Sequence, residues 1–281
     1  MKRDFEAGTF AADRPAEPAA VPFAGNDPAE ALAAYGIELP AASVVERTVS
    51  GAPVWVVSTE PGYAAAGLWE QVREVHPKTG LWPVLTKTHT WYCTGSERGW
   101  EQSRELSIPE FVAGTDAAEW LRERYRERLG DDYEIPRGGP DWADLDLELY
   151  DYDGFDWGDV WSIRGDCDEF DQLALIPTAN SWLVPYELQW SGALNYDLDG
   201  ADHALMLRRW AASERRCELV ALDSDTLWLA VAHEPELTED AALAQALEAY
   251  LYCPDAVEQD RDSLDELAES LLRQLWRFWW D

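Results

Sequence analysis

The two apolar runs that flank Asp223, Ser224 and Asp225, in the segment CELVALDSDTLWLAVAH, constrain the fold more than any other feature of the chain. Two β-rich runs joined by a short polar turn are typical of an antiparallel hairpin. Both runs are apolar at consecutive positions, so a strand made from either would carry apolar side chains on its two faces. The segment therefore predicts a hairpin in the centre of a sheet.

The chain closes on WRFWWD, which holds four aromatic rings in six residues. In a strand, Trp276, Phe278 and Trp280 would point to one face and the residues between them to the other. The segment is far too short to anchor the chain in a membrane, and an exposed ring cluster would promote aggregation. We therefore predict a short buried strand here, in preference to an exposed recognition tail.

Helices are predicted where a capping residue precedes apolar residues at helical spacing, and strands where short β-rich runs lie between turn residues. The predicted helices lie in NDPAEALAAYG, GYAAAGLWEQVREVHPKTG, TDAAEWLRERYRERLG and DGADHALMLRRWAASERR, and after Thr238 and Ser263; the other predicted strands lie in SVVERTVSGAPVWVVST, LWPVLT, LALIP and SWLVPY. Helices and hairpins alternate irregularly, without a strict βαβ repeat. The pattern predicts an α+β fold with a mixed, largely antiparallel sheet and helices mainly on one face.

Composition divides the chain into four predicted parts. Residues 1–26 are rich in Ala, Pro and charge without periodicity, which predicts a loose N-terminal arm. Residues 27–130 form an N-terminal α/β portion. Residues 131–171 are predicted to be an acidic, aromatic-rich irregular insert, and residues 172–281 a C-terminal α+β domain.

The charge of the chain restricts its partners. It has 55 acidic and 22 basic residues, a net charge of −33. A polyanion is repelled by phosphate backbones and by anionic lipid, so we predict neither nucleic-acid binding nor membrane attachment. Two interpretations of the acidity stay open: a strongly solvated surface, or a surface that binds a basic partner protein.

Cysteine usage and the N-terminal sequence favour a cytoplasmic location. Cys93, Cys167, Cys217 and Cys253 form no Cys-x-x-Cys pair. The N-terminal segment has no apolar stretch typical of a secretion signal, and no run approaches the roughly 18 apolar residues of a membrane span.

No motif predicts a metal or a cofactor. NYDLDGADHALM places Asn195, Asp197 and Asp199 like the first ligands of a calcium loop, but Met206 stands where the last carboxylate is needed, which favours helix capping. The histidines show no metal-binding spacing. In YCPD, Asp255 opposes the lowered pKa that a nucleophilic cysteine needs, so Cys253 is predicted to be structural and buried.

Several of these segments carry a family resemblance. HPKTGLWPVL, WSGALNY, LRRW with CELVALDSDTLWLAVAHEP, YLYCPD and WRFWWD occur in the order seen in the bacterial domain of unknown function family 4253 (DUF4253). The similarity is strongest from about Leu173 to Asp281 and extends more thinly back to the first hairpin. The resemblance implies a soluble bacterial, often actinobacterial protein, and supplies no known reaction, cofactor or catalytic residue.

Two functions are compatible with these features. The first is a non-catalytic protein-binding module, immunity-type or regulatory, because tryptophans among acidic residues are typical of tight interfaces. The alternative is an enzyme with a pocket near Trp82, Asn195 and the segment Tyr252–Asp255. The candidate binding residues are Trp82, Asn195, Tyr252, Cys253 and Asp255. A structural or storage role has no periodicity to support it, and the sequence does not indicate an oligomeric state.

Overall fold

The computed structural model describes Phe10, Asp13 and residues 20–95, 114–129, 170–213, 215–231 and 238–281. The predicted acidic insert, residues 131–171, lies outside the described residues except for its last two. Most of the predicted N-terminal arm, residues 1–26, also lies outside them. Asp13, within that arm, forms ion pairs with Arg208 and Arg209 at distances of 3.1 and 2.7 Å.

The described residues form a seven-stranded sheet with associated helices. The strands are β1 (Ala42–Arg47), β2 (Pro53–Ser58), β3 (Leu81–Thr86), β4 (Gln172–Pro177), β5 (Cys217–Leu222), β6 (Thr226–Val231) and β7 (Leu275–Trp279). The helices are α1 (Pro28–Ala33), α2 (Tyr63–Thr79), α3 (Ala117–Leu129), α4 (Val184–Glu187), α5 (Gly200–Ala212), α6 (Glu239–Tyr252), α7 (Asp255–Glu258) and α8 (Leu264–Ser270). Short 3-10 helices cover Thr88–Cys93, Ser181–Leu183 and Leu194–Tyr196.

The strand order is β1-β2-β4-β3-β5-β6-β7. Neighbouring strands are antiparallel except β3 and β5, which run parallel with Leu85 opposite Ala221. The predicted α+β class and the mixed, largely antiparallel sheet are therefore confirmed. The hairpin of β5 and β6 lies inside the sheet, as its two apolar faces predict.

Local sequence signals fix several helix ends. The side chain of Asp27 accepts a hydrogen bond from the backbone N–H of Ala29, and Thr238 and Ser263 cap α6 and α8 in the same manner. Each cap satisfies an N–H group that the first helical turn leaves without a partner. Helix α2 ends at Thr79, and the next residue, Gly80, has a φ of 70°, a left-handed conformation that glycine adopts without a steric penalty.

The predicted strand in SWLVPY is wrong. Ser181–Leu183 form a 3-10 turn, and Val184–Glu187 form α4. Pro185 has no N–H for a strand ladder, whereas its fixed φ suits the first turn of a helix. A short apolar run by itself does not separate a strand from a buried helical segment.

The predicted terminal strand is confirmed as β7. Phe278 lies opposite Leu227 and Trp276 opposite Leu229, which places their rings on one face. The rings of Trp276, Phe278 and Trp280 are buried there. Helix α5 supplies Trp210, which stacks on Phe278 at 5.3 Å, and α6 supplies Tyr252, whose ring meets Phe278 edge-on.

The pairing register shows which helices share this face. The face opposite to Phe278 carries a row of cross-strand neighbours, one from each of four adjacent strands: Leu85, Ala221, Trp228 and Arg277. Trp82, three residues before Leu85, consequently projects toward the Phe278 side. Because α2 contacts Trp82 through Trp69 and His76, α2, α5 and α6 all pack on one face of the sheet.

Candidate functional site

Trp82 has a packing role at the centre of the sheet. Its ring is buried and makes edge-on contacts with Trp69 and His76, with centroids 6.2 and 4.8 Å away. Its indole Nε1 donates a hydrogen bond of 2.9 Å to the carbonyl of Leu219 on β5. The other four predicted site residues contact a different segment, the last three residues of the chain.

Asp255, at the start of α7, is the hub of this second group, which we call the C-terminal corner (Asn195, Tyr252, Cys253, Asp255 and residues 279–281). The Asp255 carboxylate accepts hydrogen bonds from the Tyr196 hydroxyl at 2.6 Å and from the backbone N–H of Asp281 at 2.9 Å. Asn195 donates from Nδ2 to the Asp281 carbonyl. The corner therefore ties α7 and a 3-10 helix to the end of the chain.

Two tyrosine hydroxyls in and beside the corner stay protonated. Burial raises the pKa of Tyr252 well above its ordinary value. Burial and the hydrogen bond to Asp255 raise the pKa of Tyr196 to about 12. Neither phenol therefore ionises near neutral pH, and both serve as hydrogen-bonding groups.

His203 is buried in an aromatic cage beside the corner. Its Nδ1 shares a hydrogen bond of 2.6 Å with the Tyr252 hydroxyl, and the rings of Trp190 and Trp280 lie 4.7 and 5.4 Å from its ring. Nε2 has no hydrogen-bond partner among the described residues. Burial lowers the pKa of His203 to about 3, which outweighs the opposing effect of Asp202. The imidazole is consequently neutral at physiological pH.

Cys253 is buried, as the sequence predicts. Its thiol donates a hydrogen bond of 3.0 Å to the carbonyl of Trp279. Burial raises the pKa of this thiol to about 12, although hydrogen bonds from the backbone oppose the rise. At neutral pH the group is a thiol and not a thiolate, so it is a weak nucleophile.

We expect the cysteines to differ in reactivity with iodoacetamide. Cys93 is partly exposed, whereas Cys217 and Cys253 are buried and have raised pKa values. Among the three cysteines that the structure describes, Cys93 should be alkylated first in the folded protein at pH 8, and Cys217 and Cys253 only in denaturant. Peptide mass spectrometry reads each position separately. Rapid alkylation of Cys253 in the folded state would contradict its assignment as a structural thiol.

A further cluster, which the sequence did not indicate, lies where the parallel strands β3 and β5 end. The Asp223 carboxylate contacts Lys87 Nζ at 2.9 Å and His89 Nε2 at 2.7 Å. Asp223 is buried, whereas the imidazole of His89 is 52% exposed. Carboxyl ends of parallel strands are frequent ligand sites, and a carboxylate that orients an exposed imidazole can assist proton transfer. Lys87 is one of only three lysines in the chain, which is the one sequence signal that marks it.

The calcium-like segment serves to cap a helix. Asp199 accepts hydrogen bonds from the backbone N–H groups of Ala201 and Asp202 at the start of α5. The predicted capping role is therefore confirmed. In the part of the chain that the structure describes, no group of three His, Cys, Asp or Glu side chains is placed to hold a metal ion. Nor is any helix in that part long and apolar enough to cross a membrane.

Comparison with known proteins finds a family match in the C-terminal part of the chain. Residues 172–281 match the family described as Domain of unknown function (DUF4253). These residues include β4 to β7 and the whole C-terminal corner, and the match confirms the region where the resemblance is strongest. No curated protein and no solved structure matches the chain.

Proposed function

We propose that this chain is a non-catalytic protein-binding module whose acidic surface binds a basic partner protein. The observation that carries the proposal is the net charge of −33 together with its location. Among the described carboxylates only Asp202, Asp223, Asp255 and Asp265 are buried. Most of the remaining ones are partly or fully exposed, so that a complementary basic surface would be attracted and its association accelerated.

The environment of the predicted pocket residues supports binding over catalysis. Trp82, Tyr252, Cys253 and Asp255 are buried and hydrogen-bonded to other parts of the fold. The enzyme that the sequence allowed as an alternative needs these groups to face a substrate. Their internal contacts instead stabilise the C-terminal corner and the centre of the sheet.

The proposal includes the setting of the protein. It describes an immunity-type or regulatory module of bacterial, often actinobacterial origin, soluble in the cytoplasm. The resemblance to DUF4253 supports the origin, and the separated cysteines support a reducing compartment. Nucleic acid and anionic membranes are not expected partners, because the same charge repels them.

Capture from native lysate tests the proposed function. The immobilised chain should retain a basic protein at physiological salt, and raising the salt should weaken the complex. Two variants show which carboxylates contribute to binding of the partner. The first carries Asp260→Asn, Asp262→Asn and Glu269→Gln. The second carries Glu38→Gln, Glu46→Gln and Glu60→Gln. We expect at least one variant to weaken binding of the purified partner about tenfold or more.

Calorimetry with the purified partner measures this loss, and circular dichroism shows whether each variant keeps its fold. Recovery of no basic protein, at low as well as physiological salt, would overturn the proposal. The proposal would also be overturned if the partner bound both variants and the unchanged chain with the same affinity.

A further inference from the structure

Among the strands that the structure describes, β1 is an edge of the sheet. It is the first strand in the sheet order, and β2 is its neighbour on one side. Most of its side chains are exposed, among them Val44 by 55% and Val45 by 38%. Exposed valines on an unpaired edge are unusual, because such an edge offers free N–H and C=O groups to another strand.

The opposite edge of the same sheet is covered. In β7 the side chains of Leu275, Trp276 and Phe278 are buried. The carbonyl of Trp279 accepts a hydrogen bond from the Cys253 thiol, and the Trp276 indole donates a hydrogen bond to the Leu271 carbonyl. The elements around α6 to α8 thus protect one edge, whereas no described element pairs with the outer side of β1.

The charges around β1 are mostly negative. Glu38 precedes the strand and Glu60 follows β2, and both are exposed beyond the end where Ala42 lies opposite Val57. Glu46 lies within β1 and is partly exposed, and Arg47 is the one basic residue of the strand. The edge therefore combines apolar side chains with an excess of carboxylates.

We propose that β1 binds an extended basic segment of the partner protein as an additional strand of the sheet. Backbone hydrogen bonds to β1 would supply affinity, and Val44 and Val45 would contact alternate side chains of the added strand. Glu38, Glu46 and Glu60 would attract lysine or arginine in that strand. The inference rests on the proposed function, because it names the chemistry of the same partner and the surface that binds it.

A second copy of this chain fits the edge less well. Two copies would each bring a net charge of −33, and the carboxylates near both β1 strands would approach one another. Like charges placed opposite each other across strands are destabilising. A basic segment removes that repulsion and keeps the contacts to the valines.

A synthetic ten-residue peptide of alternating valine and lysine is a suitable probe, and its counterpart with glutamate in place of lysine is the matched control. On the intact protein, the basic peptide should slow amide hydrogen exchange in β1 about tenfold and leave β7 unchanged. The acidic peptide should have no effect. Sedimentation velocity of the protein without peptide reports whether a second copy occupies the edge.

Val44→Lys tests the position, because a lysine on an edge strand discourages pairing and repels the basic peptide. Tyr92→Lys is the matched control, since Tyr92 is 68% exposed and lies on the 3-10 helix after β3. Both variants should melt at the temperature of the unchanged protein. We expect Val44→Lys to weaken the peptide about tenfold or more and Tyr92→Lys to weaken it much less.

The outcomes separate this inference from the proposed function. If a basic partner is captured but the β1 amides stay unprotected, the edge-strand inference is overturned and the proposed function stands. The same conclusion follows if the peptide binds both lysine variants with equal affinity. Failure of the basic peptide to bind overturns the inference as well. A dimer with protected β1 in the absence of peptide assigns the edge to a second copy and also overturns it.

Discussion

Trp280→Ala is expected to lower the free energy of unfolding by about 3–5 kcal/mol. The indole is buried and meets the rings of Trp190 and Tyr252 edge-on, with centroids 5.7 and 5.2 Å away. Its Nε1 donates to the carbonyl of Tyr252 at 3.4 Å. Alanine would leave a cavity among aromatic rings that several elements hold in place, so collapse of the site would be incomplete. Urea denaturation followed by circular dichroism measures the loss.

Tyr92→Ala is the control for removal of an aromatic ring. Tyr92 is mostly exposed, so its loss should change the free energy of unfolding by about 0.5 kcal/mol or less. Deletion of residues 276–281 extends the test, because it removes most of β7 and the rings that face Trp210 and Tyr252. That chain should fail to fold. An unchanged urea midpoint for Trp280→Ala would show that the terminal rings are not part of the core.

Acidification is expected to destabilise the fold through His203. Its pKa is lowered from 6.5 to about 3 by burial, so the folded state resists a proton that the unfolded chain accepts. The contribution of His203 to the free energy of unfolding is fully present above about pH 6.5 and is lost as the pH falls toward about 3. One pKa unit corresponds to about 1.4 kcal/mol, so by pH 4 the His203 contribution should fall by about 3 kcal/mol.

A variant isolates this contribution, because many carboxylates titrate over the same range. The variant His203→Asn keeps a polar group near Tyr252, and its amide does not ionise. Between pH 7 and pH 4, the free-energy difference between the unchanged protein and His203→Asn should shift by about 3 kcal/mol in favour of the variant. NMR of the imidazole supplies an independent measurement. Titration of the His203 signals near pH 6.5 would contradict the neutral buried assignment.

The sequence predicted those elements whose signals are local. Ser263 followed by Glu266 and a leucine stripe specifies α8 within a single helical turn, and the Ser263 side chain indeed accepts a hydrogen bond from Glu266 N–H. The alternating rings of WRFWWD likewise specify a strand with one aromatic face. SWLVPY was misassigned because its apolar residues fit two structures, and the helical choice depends on the position of Pro185 in the chain.

The sequence predicted the environment of the candidate site residues less well than it predicted the fold. Asn195, Tyr252, Cys253 and Asp255 do converge, on the last three residues of the chain. Tyr252 contacts the side chain of Trp280, and the other three are hydrogen-bonded to the backbone of Trp279 or Asp281. The residue types of Tyr252, Cys253 and Asp255 suggest chemistry, whereas in the structure these three side chains are buried and hydrogen-bonded within the fold. Burial depends on which elements cover them, and no short segment of sequence contains that information.

The sequence by itself determined the strongly acidic character, the helix caps, the central hairpin and the buried terminal strand, because capping and side-chain periodicity act over a few residues. Only the tertiary structure decided that β3 and β5 pair in parallel, which brings Lys87 and Asp223 within 2.9 Å across 136 residues of chain. It also decided that β7 is covered, whereas β1 has β2 as its one neighbour among the described strands. Pairing between distant strands follows from the packing of the whole core, since the hydrophobic effect is non-directional and does not specify partners locally.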